Sequence, residues 1–345
     1  MRGPATPERC YTPHVLSRIL VFRPASVVDR LAPRSGACPL SVRDLLGPAA
    51  EAGLVLPLVR APIAGVARGA LVAAKELQAV LGLGLPPGVP PAPWFQAVAR
   101  AADEVAAGLP IFLCADLVVE GEGGTQLERA TADAWRAVDA GLTHLAIDVS
   151  AVAPQERGRV VGEVAQAGFE RGVSVEVVVP LGEGSRAGPR AAAVFEEFAQ
   201  RGLAPDLASV RCPAPQDEDE ARLQMAALAR VAQALGGVPV MRRGPVTPGL
   251  LALLRASPVK ACEDGGVAAE RALGVIPPEQ LRADGRGATS RESPLERAAG
   301  ELSADGTDRL EARAYVEVMD FLERLGARGG ARAVTRALAR GLVDP

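Results

Sequence analysis

The stretch PIFLCADLVVEGEGG, residues 110 to 124, passes from an apolar run into Cys114, Asp116, Glu120 and Glu122. An apolar strand that ends in acids can hold a carboxylate beside a reacting atom, where it moves a proton. The pattern recurs along the chain. LVLPLV (54–59) ends at Arg60, and THLAIDV (143–149) carries Asp148 with Ser150 behind it. SVEVVV (174–179) carries Glu176 and leads into a loop with Glu183. LASVRC (207–212) ends in Arg211 and Cys212, and VPVMR (238–242) ends in Arg242, with Arg243 and Gly244 following. PVKAC (258–262) carries Lys260 and Cys262 and runs into Glu263 and Asp264.

Two chemistries are open to such a set. Arg211, Arg242, Arg243 and Lys260 suit a phosphate, because a guanidinium fork matches its oxygens. The same cations can instead neutralise Asp116, Asp148 and Glu176, and both arrangements can hold at once. Cys114, Cys212 and Cys262 all fall at strand ends. Three thiolates could hold a metal, although small buried cysteines are ordinary core residues. The histidines are His14 and His144. His144 opens its run at the end away from the acids, so a structural role is expected. A multi-histidine metal centre or a Ser/His/Asp triad cannot be assembled from these two.

The elements that must position these residues are legible in the hydrophobic rhythm. Eight short apolar runs alternate with amphipathic helical stretches such as PWFQAVARAADEVAAG and TQLERATADAWRAVDAG. One strand and one helix take roughly 30 residues, the size of a βα unit. Alternation of strand and helix implies a parallel sheet, and eight units point to a closed (β/α)8 TIM barrel within α/β architecture. In such barrels chemistry sits at the C-terminal strand ends, and phosphate binds after the last two strands. A doubly wound sheet is the alternative, but RAPIAGVARG after the first run lacks a GxGxxG fingerprint. Residues 1–50 are broken by prolines and read as an irregular extension, 51–280 as the barrel, and 281–345 as a helical extension. In that last part, Leu310, Tyr315, Val318, Phe321, Leu322 and Leu325 recur at helical spacing, so it should pack on the barrel or on a partner subunit.

Composition narrows the function classes. The chain has 345 residues, 48% hydrophobic, 23% charged, with a formal net charge of −3. That balance gives no attraction to nucleic acid or to an acidic membrane surface. Aromatics at 3% leave no stacking platform for bases. No run approaches the ~18 apolar residues of a membrane span, and no signal peptide is evident. The five cysteines lack CxxC spacing, so a zinc ribbon is not expected. A cytoplasmic location with reduced thiols follows.

The segment GLTHLAIDVSAVAPQERGRVVGEVAQAGFERGVSVEVVVPLGEG (141–184) resembles the central part of the class II, metal-dependent fructose- and tagatose-bisphosphate aldolases. The likeness rests on Asp148-x-Ser150, on RGVSVE ending in Glu176, and on the Gly/Glu loop at 182–184. PIFLCADLVV, GVPVMRRGPVTP, SPVKACEDG and EVMDFLERLGARGGA resemble further family segments in the same order. The resemblance implies a TIM barrel, with Asp116 as the acid/base and Glu183 as a loop acid if the chain is active. It implies a ligand site for a phosphorylated small molecule at Arg211, Arg243, Gly244 and Lys260, with Asp148 and Glu176 as barrel-mouth acids.

It also marks departures. Leu117 and Arg243 stand where the family has zinc-binding histidines, and CPAP (212–215) supplies no third. No metal and no other cofactor is therefore expected. Without the metal, Asp116 alone cannot polarise a ketose carbonyl. A Schiff-base route would need Lys260, the one lysine on a barrel strand. The expectation is an aldolase-like barrel without zinc-dependent aldol cleavage, serving as a sugar-phosphate-binding or regulatory subunit, with a homo-oligomer allowed. The alternative is a divergent carbon–carbon lyase acting on a phosphorylated sugar through Asp116.

Overall fold

The computed structural model describes residues 19–119, 124–181, 187–277 and 294–341. Among these residues nine strands form: β1 (Cys38–Pro39), β2 (Leu56–Arg60), β3 (Leu81–Leu85), β4 (Pro110–Val118), β5 (His144–Asp148), β6 (Ser174–Pro180), β7 (Leu207–Arg211), β8 (Val240–Arg243) and β9 (Val259–Glu263). Every pairing is parallel. Strands β2 to β9 pair in chain order, and β9 pairs back with β2, so the sheet closes into an eight-stranded barrel. Helices cover the outside of these strands and side chains fill the inside.

Among the described residues, the helices of seven or more residues are α1 (Val42–Glu51), α2 (Ala64–Leu77), α3 (Pro91–Val105), α4 (Gly124–Ala140), α5 (Arg157–Arg171), α6 (Ala187–Gln200), α7 (Glu218–Ala234), α8 (Pro248–Arg255), α9 (Val267–Leu273), α10 (Pro294–Gly300), α11 (Ala304–Leu325) and α12 (Gly330–Gly341). No described helix is long and apolar enough to cross a membrane.

The N-terminal segment differs from the irregular extension expected of it. It contains β1, which pairs with the start of β4, and the ten-residue α1 despite Pro48 within it. Burial of Val42, Leu45, Leu46 and Ala49 outweighs the local cost of the proline. The Val42 amide also donates to Ser174 Oγ at 3.2 Å, which ties α1 to β6. At the other end of the chain, α11 packs along α2 and α9, so the C-terminal helices lie on the barrel.

Side chains alternate along each strand, and the ion pairs described below fix which ones face inward. The inner set includes Phe112, Cys114 and Asp116 on β4, His144, Ala146 and Asp148 on β5, and Ser174, Glu176 and Val178 on β6. It continues with Arg211, Arg243, Glu263 and Arg60 on β7, β8, β9 and β2. Phe112 fills the lower interior only because Gly82 stands opposite: a Cβ there would lie 2.2 Å from the Phe112 ring. Above that apolar floor the interior turns polar.

Candidate barrel-mouth site

Asp116, Ala146 and Glu176 are register partners across β4, β5 and β6. The small Ala146 thus separates two inward carboxylates, and Arg243 from β8 bridges them. Arg243 Nη1 donates to Asp116 Oδ1 at 2.8 Å. Arg243 Nε donates to Glu176 Oε1, and Nη2 donates to Glu176 Oε2 at 2.9 Å. The same Nη2 lies 3.4 Å from Cys114 Sγ, and Glu263 Oε2 is 3.7 Å from Nη1. Arg243 and Glu176 are both fully buried. A bidentate guanidinium–carboxylate pair of this kind is the geometry that offsets the large desolvation cost of burying charge.

The network extends on both sides. His144 Nε2 lies 2.7 Å from Glu176 Oε2, and its Nδ1 lies 2.8 Å from Ser174 Oγ. Arg60 Nε lies 2.9 Å from Glu263 Oε1 and 3.5 Å from Asp116 Oδ2. At the rim, Arg211 Nε donates to Asp148 Oδ2 at 3.0 Å. Of the strand-end cations, Arg243 pairs with Asp116 and Glu176 and Arg211 with Asp148, while Arg242 donates to the Gly244 and Pro245 carbonyls.

Burial alone would push the Glu176 carboxyl upward, but the Arg243 guanidinium and His144 more than reverse this and hold it well below the usual carboxylate range. Burial would likewise disfavour the Arg243 cation, yet Glu176 and Asp116 hold its proton well above the ordinary value. The Cys114 thiol is pushed far up by complete burial, and Arg243 offsets only part of that. It is a thiol, not a thiolate nucleophile.

The residues expected to bind a ligand do not all converge. Arg211 and Arg243 line the mouth, together with Asp116 and Asp148. Gly244 takes φ +114° just beyond β8, where a Cβ would lie 2.2 Å from the Cys212 carbonyl oxygen. Its own carbonyl accepts from Arg242 Nη1 at 2.6 Å. Gly244 is therefore needed for the close crossing of two loops. Lys260 falls at the irregularity in the β8–β9 register, between Val259 and Ala261, near the start of its strand, and it does not line the mouth cavity. Glu183 lies outside the described residues, as does His14.

Cys212 and Cys262 do not join Cys114. Cys262 pairs with Arg242 on the outer face of the barrel wall, whereas Cys114 points inward. Asp264 turns its carboxylate onto the start of α9 and accepts from the Gly266 and Ala268 amides at 2.8 Å each. Sequence reasoning placed Arg60 and Glu263 at strand ends without a role. Their inward positions, set by strand alternation, bring them into the network.

The aldolase resemblance implies a zinc ion, and the donor set tests that. Among the described residues, Cys114, His144 and Glu176 bring one ligand atom each within 4.8 Å of one another. They do not fit a catalytic zinc. Both Glu176 oxygens accept from Arg243, and His144 Nε2 is engaged by Oε2. A guanidinium stands where a second cation would have to enter, and catalytic zinc needs about three free ligands plus an open position.

Above Arg243 the mouth opens into a cavity of about 280 Å³ whose walls include Ala146 and Val178. A second cavity of about 490 Å³ shares Asp116, Leu117 and Val118 with it and extends along α4. Asp116 Oδ2 has no hydrogen-bond partner, and the residue is 9% exposed.

No protein-family model and no curated protein sequence matches this chain. Solved structures do. The YdjI aldolase from Escherichia coli K12 superposes with a TM-score of 0.59 at 14% identity, over 84% of this chain and 98% of that one. A candidate fructose-1,6-biphosphate aldolase from Coccidioides immitis superposes with a TM-score of 0.59 at 16% identity, over 84% and 96%. At these identities the likeness is one of architecture: this chain shares the (β/α)8 fold with those aldolases.

Proposed function

We propose that this chain is an aldolase-like barrel that holds a small hydroxylated molecule at its mouth and does not carry out zinc-dependent aldol cleavage, acting as a binding or regulatory subunit. The observation that carries this reading is the place of Arg243. Its guanidinium ties up Glu176, Asp116 and the surroundings of Cys114, which removes the free donors a Lewis-acid metal would need. Leu117, at the strand end beside Asp116, adds no ligand.

A second reading is favoured by one residue. Asp116 lines the cavity, and a divergent lyase could use its carboxylate to exchange a proton with a bound hydroxyl. Aldol cleavage of unphosphorylated and phosphorylated ketoses, measured with and without a chelator, tests both. The binding reading expects no turnover under either condition. Cleavage lost with chelator and restored by zinc would overturn it. Cleavage indifferent to chelator and lost in Asp116→Asn would favour the lyase.

A further inference from the structure

We infer that the molecule held at the mouth is a short hydroxy acid, whose single carboxylate is met by the free guanidinium N–H groups of Arg60 and Arg211, and not a phosphorylated compound. This rests on the ligand-binding reading above and adds the ligand's chemical class and its anchors.

The unused donors are the first support. Arg60 and Arg211 both line the mouth cavity, and their side chains are 29% and 38% exposed. Arg211 spends Nε and Nη2 on one oxygen, Asp148 Oδ2, which leaves Nη1 without a partner. Asp148 Oδ1 already accepts from the Ser150 amide at 2.9 Å. Arg60 meets Glu263 and Asp116 through Nε, at 2.9 and 3.5 Å, and its two terminal nitrogens make no hydrogen bond among the described residues. Guanidinium groups only donate, so the free groups at this mouth ask for an acceptor. A carboxylate is the acceptor whose planar fork matches them. Arg243 is different: it is fully buried beneath them, with its donors spent on Glu176 and Asp116.

The loss of the usual phosphate seat is the second. Barrels hold phosphate on backbone amides after the last two strands and at the helix start there. Here the chain fills those positions itself. Asp264 accepts from the Gly266 and Ala268 amides at 2.8 Å each, and Thr247 Oγ accepts from the Leu250 amide at 3.3 Å. Charge gives the same answer. Arg60, Arg211, Arg243 and His144 face four carboxylates, Asp116, Asp148, Glu176 and Glu263. There is no surplus cation for a doubly charged phosphate. One negative charge, met by two partly exposed guanidinium groups, is the smaller demand.

Size is the third. The cavity holds about 280 Å³, just under the usual range for ligand sites of roughly 300–1,000 Å³. Ala146 and Val178 on its wall give apolar surface for a carbon chain of a few atoms.

Ligand-observed NMR on the full chain tests the inference, with glycerate, glycerol and inorganic phosphate as probes. Glycerate should bind, and glycerol, which lacks only the carboxylate, should bind at least about tenfold more weakly. A roughly tenfold rise in salt should weaken glycerate severalfold, because both guanidinium groups are partly exposed. Arg211→Lys keeps a cation for Asp148 and removes the free edge, so glycerate affinity should fall about tenfold, the loss of one charge-assisted hydrogen bond. Val178→Phe fills the cavity without touching an ion pair and should abolish binding, which keeps the test open if Arg211→Lys folds poorly. Equal affinity for glycerol, or tighter binding of phosphate, would overturn the carboxylate class while leaving the ligand-binding reading intact. Unchanged affinity in Arg211→Lys would overturn the anchor, and unchanged affinity in Val178→Phe would remove the site from the mouth. Failure of all three probes on the wild-type chain would overturn both readings together.

Discussion

Arg243 Nη1 donates to Asp116 Oδ1 at 2.8 Å, and that bond joins a fully buried cation to a carboxylate at the barrel mouth. The same guanidinium holds Glu176 by two further bonds. One side chain thus neutralises the acids of β4 and β6 across the small Ala146. The barrel interior at this level is an ion-pair network, with the mouth cavity resting on top of it.

Removing Arg243 should be severely destabilising. Arg243→Ala leaves Glu176 buried without its guanidinium, and breaking a buried pair this way costs about 3–5 kcal/mol. Arg243→Lys should recover only part of that, since a single ammonium cannot span two carboxylates bidentately. Urea denaturation reads both. A loss below about 1 kcal/mol for the alanine variant would contradict the network's role.

Stability should depend on pH with two opposite slopes. Glu176 has a folded pKa below its unfolded value, so the unfolded chain binds more protons near pH 4.5. Its contribution is present above that pH and is lost as pH falls. Asp264 is the reverse: burial raises it from 3.8 to about 6, so its contribution is full below 3.8 and is lost as pH rises to about 6. Denaturation across this range should show Glu176→Gln flattening the acid limb and Asp264→Asn flattening the decline between 3.8 and 6. Parallel profiles for wild type and Glu176→Gln would contradict the ion-pair assignment.

The cysteines should be inert in the native state. Cys38, Cys114, Cys212 and Cys262 are free and buried. Burial raises Cys38 and Cys262 to about 12 and Cys212 to about 11, and Cys114 well above its ordinary value. In a Cys10→Ser background, a thiol-reactive chromophore should give no native-state signal and a full signal on unfolding. Rapid native labelling at Cys114 would show a thiolate, and with it a different charge balance around Arg243.

Taking the guanidinium away should also create what it displaces. In Arg243→Ala, Cys114, His144 and Glu176 keep ligand atoms within 4.8 Å of one another and lose their competing cation. Zinc should raise the melting temperature of this variant and leave the wild type unchanged, as binding to the native state requires. Equal shifts in both proteins would mean that the ion binds elsewhere.

Much of this architecture is legible in the residues. The strand–helix rhythm gives the closed barrel; Asp116, Asp148, Arg211 and Arg243 line its mouth, and Glu176 is buried beneath them against Arg243. The period of two decides what was harder to read. A shift of one residue moves a side chain from the interior to the helix layer, so Arg242 and Cys262 lie on the outer face while Arg243 and Glu263 point inward. Lys260 sits at a register irregularity, which no local pattern announces. The helix over Val42–Glu51 was hidden by Pro48 and emerges from the burial of its apolar face. Gly244 looked like part of a phosphate loop, whereas its positive φ serves a crossing between two loops.

The most direct measurement is the divalent metal content of the wild-type chain, purified without chelator and dialysed. With Arg243 as the resident cation, the expected result is far less than one zinc or other divalent ion per chain, and a melting temperature that a chelator does not change. One tightly held ion per chain, whose removal lowers the melting temperature, would contradict the assignment of the barrel centre to a guanidinium.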